Sequence, residues 1–416
     1  MSYLIEFIIA REVLDSRGNP TIEVDVATEG GDTGRAAVPS GASTGTYEAV
    51  ELRDCGERFH GKGLLQAIKA VEEEIAPKLL GMDVREQRRI DGVMIELDGT
   101  ENKSRLGANS ILGVSIACAK AGAKNTGHQL YEYLDRDAHT LPIPFFNVIN
   151  GGAHAGNDLD FQEFMIAPVG ANTFKEALRM GSETYQTLKN MLKARYGGNA
   201  IHVGDEGGFA PPISSPNEAL NIILDAIGET GYGDEVKLAL DVAASEFYED
   251  GFYNLADGKK TREDLLDIYE ELLDEYPIIS IEDPLEEEDY IGFKMATEIL
   301  DVQILGDDIF VTDTDRLGRG IEMRAADALL WKVNQIGTLS EALEAAEMAQ
   351  RNNYKVMASH RSGDTEDTFV SDLAVAIDCG QIKAGAPARG ERTCKYNRLL
   401  RIEERLGESA IYPNSL

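Results

Sequence analysis

Six charged residues close six consecutive apolar runs in the second half of this 416-residue chain. They are Asp241 in VKLALD, Glu282 in IISIED, Asp307 in VQILGDD, Lys332 in ALLWK, His360 in YKVMASH and Lys383 in GQIKAG. Any one charged strand end has a bland explanation in solubility. At an average charged fraction of roughly 25%, six in succession arise by chance on the order of once in a thousand. Three carboxylates without a nearby cysteine suit a hard, oxygen-seeking cation, and Mg²⁺ is the usual choice where carboxylates leave room for water and substrate oxygens. Asp241, Glu282 and Asp307 are therefore candidate metal ligands. Asp283 and Asp308 are adjacent alternatives, and because neighbouring strand residues face opposite ways only one of each pair should reach an ion.

A lysine close to a divalent ion and to a second lysine loses its proton more easily, because like charges disfavour the ammonium form. Lys332 and Lys383 are thus both candidates for a base at neutral pH. Taking a proton from beside a carboxylate makes a doubly charged enediolate, and bound metal is the strongest available stabiliser of that charge. Upstream, GGAHAGN (151–157) runs on to Gln162-Glu163-Phe164-Met165, and GDEGGF places Glu206 between glycines. Glycines admit a ligand close to the backbone, but they also simply make turns. Spacing alone leaves both roles open for His154 and Glu206. PSGASTG (39–45) could fold over a substrate and offer hydroxyls, yet it lacks the Gly-Lys-Ser/Thr ending of a phosphate-binding P-loop and by itself reads as a flexible turn.

The strand ends named above need a scaffold that brings them to one place. Their separations of 41, 25, 25, 28 and 23 residues each suit one strand and one returning helix. In a closed parallel barrel such ends converge on one face. The first third reads differently, with strands at Tyr3 to Ile9, Thr21 to Val26 and Gly34 to Val38. Helical patterns follow at Lys62 to Leu80, Arg85 to Leu97 and Ala108 to Lys124. The pattern changes near Asp135 to Pro144, so the chain divides into an α+β module over residues 1–136 and a βα-repeating domain over 137–416.

Composition fits a folded soluble protein, with 43% apolar and 27% charged residues. A net charge of −33 repels nucleic acid and anionic lipid surfaces at long range, so an anionic substrate needs a local positive site. Cys55, Cys118, Cys379 and Cys394 lie too far apart for a CxxC pair, which points to a reducing cytosol rather than a disulfide framework. The N-terminal run is interrupted by Glu6 and has no basic leader, and no run approaches membrane-spanning length. The expected location is the cytoplasm.

Read together, these segments resemble the enolase family of archaeal and bacterial type, from Arg11 to the C-terminal end. The matching stretches are DSRGNP, SGASTG, GGAHAGN, QEFM, GDEGGFAP, LDVAASEF, IEDP, GDD, KVNQIGTLSE, SHRSGDTEDTF and GQIKAGAPARGER. The resemblance implies a modified (β/α)8 TIM barrel carrying a smaller N-terminal α+β cap. It also implies the reversible dehydration of 2-phosphoglycerate to phosphoenolpyruvate in glycolysis and gluconeogenesis. By similarity, Asp241, Glu282 and Asp307 hold one Mg²⁺ and Ser43 is the protein ligand of a second. Lys332 resembles the base that removes the C2 proton, and Glu206 the acid that assists loss of the C3 hydroxyl. Glu163 is similar to the partner of Glu206, and Lys383 to the residue that binds the substrate carboxylate and tunes Lys332. Gln162, His154, His360, Arg361 and Ser362 complete the implied substrate shell, the last two at the phosphate, where a planar guanidinium matches phosphate oxygens. The family also implies a homo-oligomer, dimeric or octameric.

A few positions depart from the family pattern. Trp331 stands before Lys332 where a smaller aliphatic residue is usual, Asp313 stands where Asn is common, and Ala388 and Gly390 replace the usual Cys or Ser. None removes a candidate chemical group. Trp331 is expected to add bulk beside a barrel strand.

Overall fold

The computed structural model describes residues 2–41 and 45–413. The first strands, β1 (Ile5–Leu14), β2 (Pro20–Thr28) and β3 (Thr33–Ala37), form an antiparallel meander in the order β1-β2-β3. Alternation decides its faces: Ile22, Val24 and Val26 on β2 are fully buried. The helix Ala108–Asn125 covers this face. It comes so close that a Cβ at Gly34 would lie 2.0 Å from the carbonyl oxygen of Ala117, so only glycine fits. The other expected helices form as Gln87–Asp98 and as a run from Leu65 to Leu79 with a π-helical turn at Ala70–Ile75.

The barrel strands are β4 (Ile143–Asn150), β5 (Glu163–Ala167), β6 (Lys237–Asp241), β10 (Ile278–Glu282), β11 (Gln303–Gly306), β12 (Ala328–Trp331), β13 (Lys355–Ser359) and β14 (Gly380–Lys383). Between β6 and β10 the chain makes a small sheet of β7 (Tyr248–Glu249), β8 (Phe252–Leu255) and β9 (Gly258–Lys260) before the returning helix Arg262–Glu275. That excursion accounts for the longest gap in the strand-end series. Each of the six runs singled out above is a barrel strand or leads out of one.

The barrel closes in the order β4-β5-β6-β10-β11-β12-β13-β14. It departs from strict alternation early: no α-helix separates β4 from β5, and two α-helices, Phe174–Tyr196 and Pro216–Thr230, separate β5 from β6. β5 runs antiparallel to both neighbours. Its first residue therefore lies level with the last residues of the others. Glu163 pairs with Asp241, and Asp241 pairs with Glu282, giving three carboxylates in one transverse row. Ser359 pairs with Lys383 on the far side of the same rim.

The smaller domain lies against this rim. Ser40 and Gly363 exchange backbone hydrogen bonds of 2.7 and 2.9 Å, and Ala49 N donates to Gln335 O at 2.7 Å. Among the described residues no helix is long and apolar enough to cross a membrane.

Trp331 is fully buried, and its indole Nε1 donates to Ala342 O on the helix Leu339–Arg351 at 2.6 Å. The extra bulk is absorbed between strand and helix with its polar atom satisfied. Asp313 caps the helix Thr314–Met323, accepting from Asp315 N at 3.0 Å and Arg316 N at 2.9 Å, as an Asn would.

Candidate active site

The rim carries a small pocket lined by His154, Gln162, Glu163, Glu206, Asp241, Asp307, Lys332, Ser359, His360, Arg361, Ser362 and Lys383. Glu282 sits directly against it, within 2.9 Å of Lys383. Every expected site residue in the described chain is at this one place; Ser43 lies outside the described residues.

Lys383 Nζ is the hub of the acid row. It donates to Asp241 Oδ2 at 2.8 Å and to both oxygens of Glu282 at 2.9 and 2.8 Å, and lies 3.4 Å from Glu163 Oε1. Gln162 Nε2 reaches Asp241 Oδ2 at 3.0 Å. Lys332 Nζ pairs with Asp307 Oδ2 at 2.5 Å. Burial works to lower both lysines, but the carboxylates they face outweigh it and hold each above its ordinary value. This is the balance set by the carboxylates alone; the expected loss of a proton is tied to a bound divalent ion, whose charge opposes theirs. Here each ammonium looks at acids.

Burial and the charge of Asp241 push the Glu282 carboxyl well up, with Lys383 opposing. For Asp307 burial pushes the same way, but Lys332 wins and keeps it ionised. Crowded, buried, oxygen-only donors with too little positive charge among them are the chemistry a hard divalent cation satisfies. The residues present therefore fit such an ion. A different grouping, Asp283 with Asp307 and Asp308, has its oxygens within 4.8 Å of one another. Its geometry argues against a shared ion. Asp283 sits in a left-handed turn at φ 41° and accepts the backbone N–H groups of Asp307 and Asp308, both at 2.9 Å, so it is committed to shaping the loop.

Across the pocket, His154, Glu163 and Glu206 bring ligand atoms within 4.8 Å of one another. His154 Nδ1 is 3.4 Å from Glu163 Oε1 and 3.7 Å from Glu206 Oε1. Burial and the charge of Glu206 raise the Glu163 carboxyl to about 7, against the pull of Lys383 and His154. Glu206 goes the other way: burial would raise it, but His360 and His154 hold it well below the usual carboxylate range. Two carboxyls whose environments drive them apart are the mark of a divided acid–base task. The proton between them belongs to the cluster rather than to one residue.

Several residues of this site carried no individual signal in the sequence. Gln335 Nε2 holds Asp307 Oδ1 at 2.8 Å and is itself fixed by Thr312 Oγ1 at 2.8 Å. Asn147 Nδ2 donates to Glu206 Oε2 at 3.2 Å. Glu48, from the smaller domain, makes a two-pronged pair with Arg361 at 2.8 and 2.9 Å. Gln335 falls inside a segment that matched the family pattern, three residues beyond Lys332; nothing marked Glu48 or Asn147.

The comparisons with known proteins agree with this geometry. The family model "Enolase, N-terminal domain" matches residues 5–134, and "Enolase, C-terminal TIM barrel domain" matches residues 138–415. The enolase of Methanocaldococcus jannaschii is 62% identical over 406 residues, covering 97% of this chain and 96% of that protein. Those of Methanopyrus kandleri and Pyrococcus furiosus are 61% and 59% identical, covering 96% and 99% of this chain and 96% and 97% of theirs. The chain belongs to the enolase family.

Proposed function

We propose that this chain is an enolase, a phosphopyruvate hydratase that reversibly dehydrates 2-phosphoglycerate to phosphoenolpyruvate in glycolysis and gluconeogenesis. The observation that carries the reading is the opposition across one small pocket of Lys332 and the His154–Glu163–Glu206 cluster. One side can take a proton and the other can give one.

Lys332, in its neutral amine form, accepts the C2 proton on its Nζ, and the C–H electron pair enters the carboxylate to form the enediolate. That pair then returns to make the C2–C3 double bond as the C3–O bond breaks, and Glu206 protonates the departing hydroxyl so that it leaves as water. Glu163 and His154 hold the proton that Glu206 delivers. Lys383 meets the substrate carboxylate, while Arg361 and Ser362 meet the phosphate and His360 and Gln162 line the remaining walls. Glu48 must give up part of its hold on Arg361 for a phosphate to be received there. Asp241, Glu282 and Asp307 would hold one Mg²⁺ and Ser43 a second, two per active site, and bound Mg²⁺ supplies the charge stabilisation that the enediolate requires.

A cytoplasmic homo-oligomer, dimeric or octameric, agrees with the exposed Phe7 and Ile9 on the outer face of β1. A domain division at residues 136 and 137 agrees with the gap between the two family matches. The function is tested by adding 2-phosphoglycerate and Mg²⁺ to the purified protein, with and without chelator, and following the ultraviolet absorption of an enol phosphate. No signal from folded, metal-loaded protein would sink the assignment.

A further inference from the structure

Arg392 is fully buried in the first turn of the last helix, Gly390–Leu406. Its stem packs on Gly385, where φ is +80° and a Cβ would come 2.8 Å from Arg392 Cδ. Nη1 lies 2.5 Å from His360 Nδ1 and donates to Arg361 O at 2.6 Å, while Nη2 donates to Ser362 O at 2.6 Å and Asp205 O at 3.1 Å. One guanidinium thus ties together the loops that carry His360 and Glu206.

That contact decides where the histidine proton is. A guanidinium has only N–H donors and stays protonated in proteins. The ring nitrogen facing it must therefore be the acceptor. A proton on Nδ1 would set N–H against N–H, and a doubly protonated ring would add cation against cation. His360 is thus neutral, with its proton on Nε2, 3.1 Å from Glu206 Oε2. Burial, reinforced by the charge of Arg392, acts in the same direction and holds the ring down to about 4 in spite of Glu206.

The hydrogen bond to that oxygen comes from Asn147 Nδ2 at 3.2 Å. Oε2 therefore accepts from Asn147 and has the Nε2 edge of His360 3.1 Å away, outside hydrogen-bond geometry, and neither nitrogen offers a lone pair to a proton on that oxygen. Glu206 Oε1 is on the side of His154, 3.7 Å from its Nδ1, and of Glu163. We propose that Arg392 is a positioning residue that locks His360 as its Nε2–H tautomer, reserves Oε2 of Glu206 as an acceptor, and so confines the transferable proton to Oε1. During dehydration the Oε1–H bond breaks, its electron pair stays on Oε1, and the proton joins the C3 hydroxyl as water leaves. During hydration the same atom takes the proton from the incoming water. The inference deepens the reading of Glu206 as the acid and rests on it.

The decisive measurement is the tautomer itself, read by ¹⁵N NMR of histidine-labelled protein with His360→Gln used to assign the ring among the six histidines. The wild type should show a neutral ring with a bare Nδ1 from pH 6 to 8; a charged ring or an Nδ1–H tautomer overturns the proposal. Arg392→Met should release that tautomer. It should lower dehydration about 100-fold, the scale of a misplaced catalytic group, while exchange of the substrate C2 proton, which depends on Lys332, stays within a few-fold of wild type. Equal loss of both rates, or a ring unchanged in the variant, overturns the proposal as well. If Arg392→Met does not fold, the wild-type spectrum still decides. A wild type that makes no phosphoenolpyruvate would defeat the functional reading while leaving the tautomer result standing, so the two failures are distinguishable.

Discussion

Asp307 is held at both oxygens by different partners: Lys332 Nζ takes Oδ2 at 2.5 Å and Gln335 Nε2 takes Oδ1 at 2.8 Å. A residue read as a metal ligand is thereby oriented by the residue read as the base and by an amide three positions further on. Replacing Gln335 by Met removes the neutral partner without touching the charge. Loss of such an orienting bond costs about 10- to 100-fold in metal affinity or activity. A Mg²⁺ titration of the rate should show the half-saturating concentration rising by that order, with most activity recovered at high Mg²⁺. An unchanged titration would remove Gln335 from the site.

The two sides of the pocket should separate kinetically. Lys332→Ala should abolish both exchange of the C2 proton with solvent and formation of phosphoenolpyruvate. Glu206→Gln should keep measurable exchange and lose dehydration, because the enediolate still forms but its hydroxyl has no acid. Identical behaviour of the two variants would refute the division of roles. General acid–base groups contribute about 10²- to 10⁴-fold, which sets the scale of each loss.

The buried neutral histidine makes stability depend on pH in a stated direction. His360 titrates at about 4 in the folded protein and near 6.5 when unfolded. Between those values the unfolded chain binds more protons, so this contribution is complete above pH 6.5 and is lost as pH falls toward 4. From pH 7 to pH 5 it amounts to about 2 kcal/mol. Glu163 and Glu282, raised in the fold, act with the opposite sign. Subtracting the same measurement on His360→Gln isolates the histidine. Denaturant midpoints at the two pH values should converge more for the variant than for wild type.

Much of the site was legible because its residues end buried strands. Runs such as VKLALD and IISIED are apolar until the rim and charged at it, so the sequence marks both the strand and its functional end. Residues that act through others are written differently. Asn147 lies within β4, whose residues are all buried, and an Asn in an apolar run says nothing about which carboxylate it will meet. Glu48 reaches Arg361 from another domain across 313 positions, a separation no local pattern encodes. The small sheet β7–β9 was likewise hidden, its strands being only two to four residues long. Nor do strand ends reveal which groups pair most closely: Lys332 takes Asp307, whereas Lys383 takes Asp241 and Glu282.

Trp331, the protein's one tryptophan, is adjacent to Lys332 in sequence but faces the helix layer. Trp331→Ala should therefore destabilise the fold by about 3–5 kcal/mol, read as a lowered denaturant midpoint, while leaving the ratio of C2 exchange to dehydration unchanged. A shifted ratio would mean that Trp331 steers the base.

The reversal of β5 gives Glu163 a second duty. All five residues of β5 are buried, so alternation between a wet and a dry face does not fix how it slides against β4 and β6. A slip of one residue would exchange the two faces of the strand and carry Glu163 away from Lys383 and His154. A buried carboxyl deprived of such partners is among the costliest errors a barrel can make. The acid that serves the reaction is then also the notch by which the strand finds its place, and a variant chosen only to silence the chemistry there, Glu163→Leu, should loosen the frame: doubled or broadened backbone amide signals from β5 are the expected outcome, and a single sharp set would exclude it.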